Sequence, residues 1–282
     1  MRLFLLVLII LPACSPSLSS ADLPAEPAAT ALAEPAPARF SAQTPTITQL
    51  AAPELIPTKT ILAQNAPAVA VQPSILPAFR LCSPLSLHPL SELPQIIGDP
   101  YDPPPPGREE RHHGIDFGYY HYRDRDSMQG EPIQAVLSGV VASALDDHYP
   151  YGNMVMIETQ QALLPADVVN ALGFSPGDSL YVLYAHMNTP PEVNLGETVE
   201  SCQLLGEVGM TGNTELPHLH LETRLGPEGT AFKSMRFYDT RAKVEEMDAY
   251  KLWRTSGVFR HFDPMKLLSL PLEASPRLPA HP

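Results

Sequence analysis

"HLHLETR", residues 218–224, is the stretch that decides the fold. Successive side chains of a β-strand point to opposite faces of the sheet, so residues two apart share a face. His218, His220 and Glu222 therefore lie together on one face, and the two leucines between them point the other way. The stretch predicts a strand that carries polar ligands on one face and packs aliphatic side chains into a core with the other.

Outward from this stretch, short apolar runs rich in β-branched and aromatic residues recur between turn signals such as "YPYGN" and "SPGD". Such alternation of short runs and turns is typical of an antiparallel sheet. The chain is therefore predicted to be mainly β, an antiparallel sheet domain with short helical insertions. The other candidate strands are residues 132–145, 153–159, 179–187 and 203–209.

Two short helices are predicted within this domain. Residues 165–173 have a proline near their start and a glycine at their end, and residues 241–257 show helical periodicity. The apolar face of the second helix is predicted to consist of Val244, Met247 and either Leu252 or Trp253.

A second group of polar residues precedes the first candidate strand, in "HHGID", residues 112–116. On a strand, His112 and Asp116 share a face, whereas His113 points away. Catalytic zinc sites use three protein ligands from His, Asp or Glu and keep a further position for water. Two histidines and one carboxylate meet that count. A further candidate, His186, ends the alternating run "SLYVLYAHM", where it is predicted to share a face with Leu180, Val182 and Tyr184.

These residues resemble the motifs of the lysostaphin-type, or LytM-like, zinc metallopeptidases that cut bacterial peptidoglycan. The family pattern H-x-G-x-D matches "HHGID", a histidine after a Tyr-Ala strand matches "YAHM", and H-x-H matches "PHLHLE". The intervening text "GEPIQAVLSGVV", "YGNMVMIE" and "GEVGMTGN" is similar as well, so the resemblance covers residues 107–225.

The resemblance implies a LytM-like fold (the duplicated hybrid motif) with a zinc-bearing groove that takes a peptidoglycan peptide. It implies that His112, Asp116 and His220 bind Zn²⁺. His186 and His218 would flank the attacking water. One would take a proton from the water, while the other would stabilise the oxyanion and give a proton to the leaving amine. Two segments, 159–178 and 226–268, depart from the family pattern, and the sequence leaves open whether either shapes the groove.

Several alternatives stay open at this level. His113 is a surface residue, a support for a ligand, or the ligand in place of His112. Glu222 either supports a ligand histidine or is a solvated strand-end residue. The rival function is a non-catalytic cell-wall activator or scaffold, which predicts missing ligands. A lyase of carbonic-anhydrase type calls for a third histidine in place of the carboxylate, and a structural zinc site fills all four positions with protein ligands.

The N-terminal residues indicate export. An arginine precedes an apolar run from Leu3 to Leu11, too short to span a membrane and typical of a signal peptide, residues 1–13. The sequence "LPAC" resembles a bacterial lipobox, which implies cleavage before Cys14 and lipid on its thiol; an ordinary signal peptide is the alternative. The protein is thus expected to be exported and anchored to the cell envelope through Cys14. A net charge of −13 without a basic cluster argues against nucleic acid as a partner.

The remaining chain divides by composition. Residues 14–80 are rich in Pro and Ala and contain no glycine; the first glycine of the chain is Gly98. This composition predicts a disordered tether. The metallopeptidase domain is expected at 81–268, with its core at 107–225, followed by a flexible tail at 269–282. Cys82 and Cys202 are an even pair in an oxidising compartment, so a disulfide between them is a hypothesis. We expect a monomer.

Overall fold

An antiparallel sheet of eight strands forms the centre of the region that the computed structural model describes, residues 79–271. The strand order is β1-β2-β9-β6-β5-β4-β7, and β10 pairs with β9 on the same side as β2. Strands β3 and β8 form a separate two-stranded sheet. In chain order, the strands are β1 Ile97–Asp99, β2 Ile115–Phe117, β3 Pro132–Gln134, β4 Gly139–His148, β5 Gly152–Gln160, β6 Asp178–Ala185, β7 Thr198–Val199, β8 Leu204–Glu207, β9 Leu219–Pro227 and β10 Arg260–Phe262.

The prediction of a mainly β, antiparallel domain is confirmed, but one of the predicted strands is two strands in the structure. The segment 132–145 was predicted as a single strand, but β3 and β4 belong to different sheets. The chain leaves the first sheet after Gln134, where Ala135 N–H donates to Gln203 O, and enters the second at Gly139. A Cβ on Gly139 would lie 2.2 Å from the carbonyl oxygen of Glu158, so this entry requires glycine.

Residues 79–271 contain three α-helices, namely α1 Ala166–Leu172 between β5 and β6, α2 Val244–Arg254 between β9 and β10, and α3 Pro264–Leu268 after β10. Helix α1 occupies the predicted position and ends at Gly173, whose φ of 78° is the left-handed conformation of a helix C-terminus. Helix α2 confirms the second predicted helix and the burial of Trp253, one of the two alternatives for its apolar face. Tyr250 is buried as well, whereas Val244 is exposed.

The central sheet is covered on both faces. On one face, Leu180 and Leu221 pack with Ile133 of the small sheet and with Leu93 of the N-terminal segment. On the other face, side chains of β5 and β6 pack against aromatic residues that follow β9. These aromatic residues are Phe232, Tyr250, Trp253 and Phe259. Strand β6 is buried along its whole length, so its ends are fixed by packing from both sides.

The described region also contains the hypothesised disulfide. Cys82 and Cys202 are joined, with their Cα atoms 5.5 Å apart, and the bond closes a loop across 120 positions. Among the described residues, no helix has both the length and the apolar character needed to span a membrane. The expectations for the signal peptide, for Cys14, for the tether up to residue 78 and for the tail beyond residue 271 lie outside the described residues.

Candidate metal centre

The centre begins with a cross-strand pair. Asp116 on β2 lies directly opposite His220 on β9, and His220 Nδ1 is 2.7 Å from Asp116 Oδ1. His112 precedes β2 and is held by a backbone bridge to Asp102, with N–H···O distances of 3.0 Å in both directions. Its Nε2 lies 3.1 Å from Asp116 Oδ1 and 3.2 Å from His220 Nδ1. The three predicted ligands are thus brought to one point.

Gly114 allows this approach. A Cβ at that position would lie 2.5 Å from the carbonyl oxygen of Leu221 and 3.0 Å from Cε1 of His220. Any side chain there would push β2 away from β9 and separate the carboxylate from the histidine. The glycine in the middle of "HHGID" is therefore required by the packing of the centre.

The ring nitrogens that face the centre are set by neighbouring acceptors. His112 Nδ1 lies 2.9 Å from the carbonyl oxygen of Pro100; because a carbonyl only accepts, Nδ1 donates to it, and Nε2 is the nitrogen left to bind a metal. His220 is oriented the other way, with Nε2 3.2 Å from Glu222 Oε1 and Nδ1 towards the centre. Each histidine thus directs one nitrogen to the shared point.

His186 reaches the centre through an unusual backbone conformation. Ala185 is the residue paired with His220 across β6 and β9, so simple alternation would place His186 on the opposite face, with Leu180, Val182 and Tyr184. The structure contradicts that prediction, because β6 ends at Ala185 and His186 has φ of 60°. The left-handed turn brings its ring to 5.7 Å, centroid to centroid, from His220.

His186 and His218 present the same nitrogen to the centre. His186 Nδ1 lies 2.7 Å from the carbonyl oxygen of Thr211, and His218 Nδ1 lies 2.9 Å from that of Leu216. Both Nδ1 atoms therefore donate, and each ring keeps its Nε2 atom for the centre. The two rings are 4.8 Å apart, and His218 Nε2 is 3.4 Å from Asp116 Oδ2.

Burial and charge act on the titration of these groups. Burial, with the neighbouring His220 and His218, lowers the pKa of His186 to about 3. Burial alone would raise the pKa of Asp116, but hydrogen bonds with His112, His218 and His220 outweigh it and hold that pKa well below its usual range. His186 is thus neutral and Asp116 is ionised at neutral pH.

Glu222 is fully buried and supports His220, which excludes the solvated alternative. Its Oε1 accepts from Tyr151 Oη at 2.7 Å and from Arg254 Nη1 at 2.8 Å, and faces His220 Nε2. Its Oε2 accepts from both Arg224 Nε and Nη2, at 3.0 and 2.7 Å, and from Trp253 Nε1 at 3.1 Å. A buried carboxylate held by so many donors fixes the orientation of the histidine beside it.

His113 is also buried, so the alternative of a surface residue is wrong. It lies outside the cluster of candidate ligands. Its Nδ1 lies 3.0 Å from Arg224 Nη2, which donates to it. Burial, with the positive charge of Arg254 next, lowers the pKa of His113 to about 3. His113 therefore stays neutral and supports Arg224.

Two concave surfaces meet at the centre. A pocket of about 170 Å³ is formed by His112, Asp116, His186, His218 and His220 together with Pro150, Tyr151, Asn213, Tyr250 and Arg254. A groove of about 530 Å³ continues beyond Asp116 and His218, with Asp99, Asp126 and Glu215 among its lining residues. The lining that the structure describes for this groove includes no lysine or arginine.

The two departing segments behave differently. The 226–268 segment supplies Tyr250 and Arg254 to the pocket, as expected from its position after the "HLHLE" strand. The 159–178 segment joins β5 to the start of β6, whereas His186 follows its end. Eight residues of strand separate the two by about 25 Å. None of the residues of 159–178 lines either surface.

The donor set fits a metal ion. One ligand atom from each of His112, Asp116 and His220 lies within 4.8 Å of the others. Two imidazole nitrogens and one carboxylate oxygen are the ligands that Zn²⁺ takes in catalytic sites, and the carbonyl of Pro100 and the carboxylate of Glu222 are the usual outer partners. The arrangement defines the class of site, a candidate catalytic metal centre on an antiparallel sheet.

Comparison with known proteins agrees with this class. Residues 110–233 match the sequence model of peptidase family M23. The comparison with curated proteins finds no match.

The similar solved structures include two catalytic domains and a zinc-containing peptidase. The catalytic domain of the prophage-encoded M23 protein EnpA from Enterococcus faecalis is 24% identical, with a TM-score of 0.34 over 49% of this chain and 87% of that one. The catalytic domain of the antimicrobial peptidase lysostaphin from Staphylococcus simulans is 26% identical, with a TM-score of 0.33 over 49% and 86%. A zinc-containing peptidase from Vibrio cholerae is 21% identical, with a TM-score of 0.31; the match covers 46% of this chain and 33% of that one.

Proposed function

We propose that this protein is a zinc-dependent endopeptidase that hydrolyses peptide cross-links of bacterial peptidoglycan. The observation that carries the proposal is the convergence of five side chains. His112, Asp116 and His220 offer ligand atoms to one point, and His186 and His218 direct their Nε2 atoms towards it. The match to peptidase family M23 supports the reaction class.

Zn²⁺ held by His112, Asp116 and His220 would act as a Lewis acid that polarises the scissile carbonyl and lowers the pKa of water. The chain supplies the proton transfers. As a water oxygen attacks the carbonyl carbon, the Nε2 lone pair of His218 accepts a proton, and the same nitrogen returns it to the amine when the C–N bond breaks. Nε2 of His186 orients the water by accepting its other hydrogen, because its own proton is fixed on Nδ1.

The test is to measure metal content and wall-lytic activity on the same preparation of purified protein. We expect one zinc per chain and release of new amino groups from purified peptidoglycan, and mass spectra of the fragments identify the bond. One firmly bound zinc without any cleavage of several wall types would contradict the enzyme and favour the non-catalytic activator or scaffold.

We also propose export and anchoring through a lipid on Cys14, supported by the sequence of residues 1–14 alone. The acidic, metal-bearing domain would then reach peptidoglycan from the membrane. The expected result is recovery of the full chain in the membrane fraction and release of a Cys14→Ser variant from it. A Cys14→Ser protein that stays with the membrane would contradict the lipid anchor.

A further inference from the structure

We propose that Arg254 binds a free carboxylate of the substrate, carried by a residue next to the scissile bond. This inference rests on the proposed peptidase function and names the substrate class. It favours a cross-link to a diamino acid, which keeps a free carboxylate beside the linked amine, over a glycine bridge, whose internal residues carry none.

The first observation is the position of α2. The family match ends at residue 233, and α2 lies beyond it at Val244–Arg254. Nevertheless Tyr250 and Arg254 line the same pocket as the candidate ligands. This helix therefore adds a wall of its own to the metal centre.

The second observation is that the guanidinium of Arg254 is fixed. Its Nη1 donates to Glu222 Oε1 at 2.8 Å and its Nε donates to Glu109 Oε1 at 3.2 Å. Glu109 is itself held by Tyr250 Oη at 2.5 Å. The side chain is 12% exposed, so the planar group has a single orientation.

The third observation is that one nitrogen of the guanidinium, Nη2, has no partner among the described residues. Every other nitrogen of the guanidinium has a partner. Nη2 is not among the fully buried atoms that lack a partner, so it stays accessible to a ligand. A guanidinium N–H group beside a candidate peptidase centre fits a carboxylate, because charge-assisted hydrogen bonds to carboxylates are short and strong.

Glu222 does not need Arg254 for neutralisation. Arg224 contacts Glu222 Oε2 through two nitrogens and is fully buried with it. With Zn²⁺ bound, the positive charge of the metal exceeds the single charge of Asp116, so the pocket accepts an anion.

The opposite side of the centre repels a carboxylate. The groove beyond His218 is lined by Asp99, Asp126 and Glu215, and its described lining includes no lysine or arginine. A substrate with a free carboxylate near the scissile bond would therefore place it towards α2.

The experiment compares two matched peptides on the zinc-loaded protein. Both contain D-Ala joined to the amine of a diamino acid, one with the adjacent carboxylate free and one with it converted to a carboxamide. We expect kcat/KM for the acid to exceed that for the carboxamide by about tenfold, through KM, the size of one charge-assisted hydrogen bond. Equal kcat/KM for the two peptides would overturn the proposal, without any variant.

Variants separate substrate binding from support of Glu222. Arg254→Gln should abolish the preference by raising KM for the acid alone, and Arg254→Lys should restore part of it. Lys251→Gln, an exposed cation on the same helix, is the matched control and should keep the full preference. A loss of kcat for both peptides alike, with loss of zinc, would show that Arg254 only positions Glu222.

If neither peptide is cut, that result counts against the proposed peptidase function. The proposal for Arg254 can still be tested. Calorimetric binding of the uncut peptides to zinc-loaded protein then gives the answer. Tighter binding of the acid in the wild type but not in Arg254→Gln supports the proposal, whereas equal binding overturns it.

Discussion

Asp116 and His220 face each other across β2 and β9, with Asp116 Oδ1 2.7 Å from His220 Nδ1. Four residues of chain separate Asp116 from His112, but 104 separate it from His220. Strand pairing alone thus joins the two halves of the candidate centre, and its register decides whether a metal can bind.

Replacing His220 should remove the metal. His220→Ala deletes one of three ligands, so we expect loss of stoichiometric zinc and of all activity. Metal content by atomic emission after gel filtration measures it. His121→Ala is the matched control, because His121 is exposed and lies outside the ligand cluster. Wild-type activity in His220→Ala would disprove the ligand assignment.

His218 should act in turnover and not in metal binding. Its Nε2 lies 3.4 Å from Asp116 Oδ2, while the candidate ligand atoms come from other residues. We expect His218→Ala to retain one zinc and to lose about 10²–10⁴-fold in kcat. Parallel zinc and kcat measurements check this, and a zinc-free His218→Ala protein would make His218 a ligand.

Glu222→Gln should weaken both zinc binding and stability. The change keeps the shape but leaves two buried guanidinium groups beside a neutral amide, which costs about 3–5 kcal/mol. Loss of the carboxylate partner of His220 should lower zinc affinity about 10–100-fold. Competition with a chromophoric chelator and urea unfolding measure the two effects. Glu245→Gln, in the exposed first turn of α2, should change neither.

The disulfide should contribute substantially to stability. Cys82→Ser combined with Cys202→Ser releases a loop that spans 120 positions, and the chain-entropy model gives roughly 4–5 kcal/mol for such a loop. Urea unfolding of the double variant should show a lower midpoint, matched by that of the reduced wild type. Identical midpoints for oxidised and reduced wild type would show that the bond is not formed in the protein.

His113 makes metal-free stability depend on pH. Its pKa is about 3 in the folded protein because of burial and the nearby Arg254, against an unfolded value of about 6.5. Between these values the unfolded chain binds one more proton, so the free energy of unfolding falls as pH drops, by about 1.4 kcal/mol per unit. It is constant with respect to this group above pH 6.5. His113→Gln should show a shallower slope in urea titrations with EDTA from pH 6.5 to 4; an unchanged slope would contradict the buried neutral histidine.

Sequence patterns predicted most of the strands and the partners within each motif. Strand β9 is a clear case, since alternation in "HLHLE" places His220 and Glu222 on one face and the leucines in the core. Helix α1 is another, because its end is determined by Gly173. These features depend on neighbours within a few residues, which the sequence displays directly.

Alternation failed where the backbone left regular geometry. His186 reaches the centre only because its φ is positive, and the 132–145 segment divides because its two halves pair with different partners. The buried state of His113 and Glu222 also depends on Arg224 and on α2. None of these long-range contacts leaves a local signal.

The sequence by itself therefore determined the strand-forming segments, the identity of the five polar residues and the class of chemistry they suit. Only the tertiary structure decided which nitrogen each histidine directs to the centre, how Glu222 is held, and that Arg254 enters the pocket. The physical reason is range: side-chain alternation is a property of consecutive residues, whereas hydrogen-bond direction and burial are set by residues up to 160 positions apart.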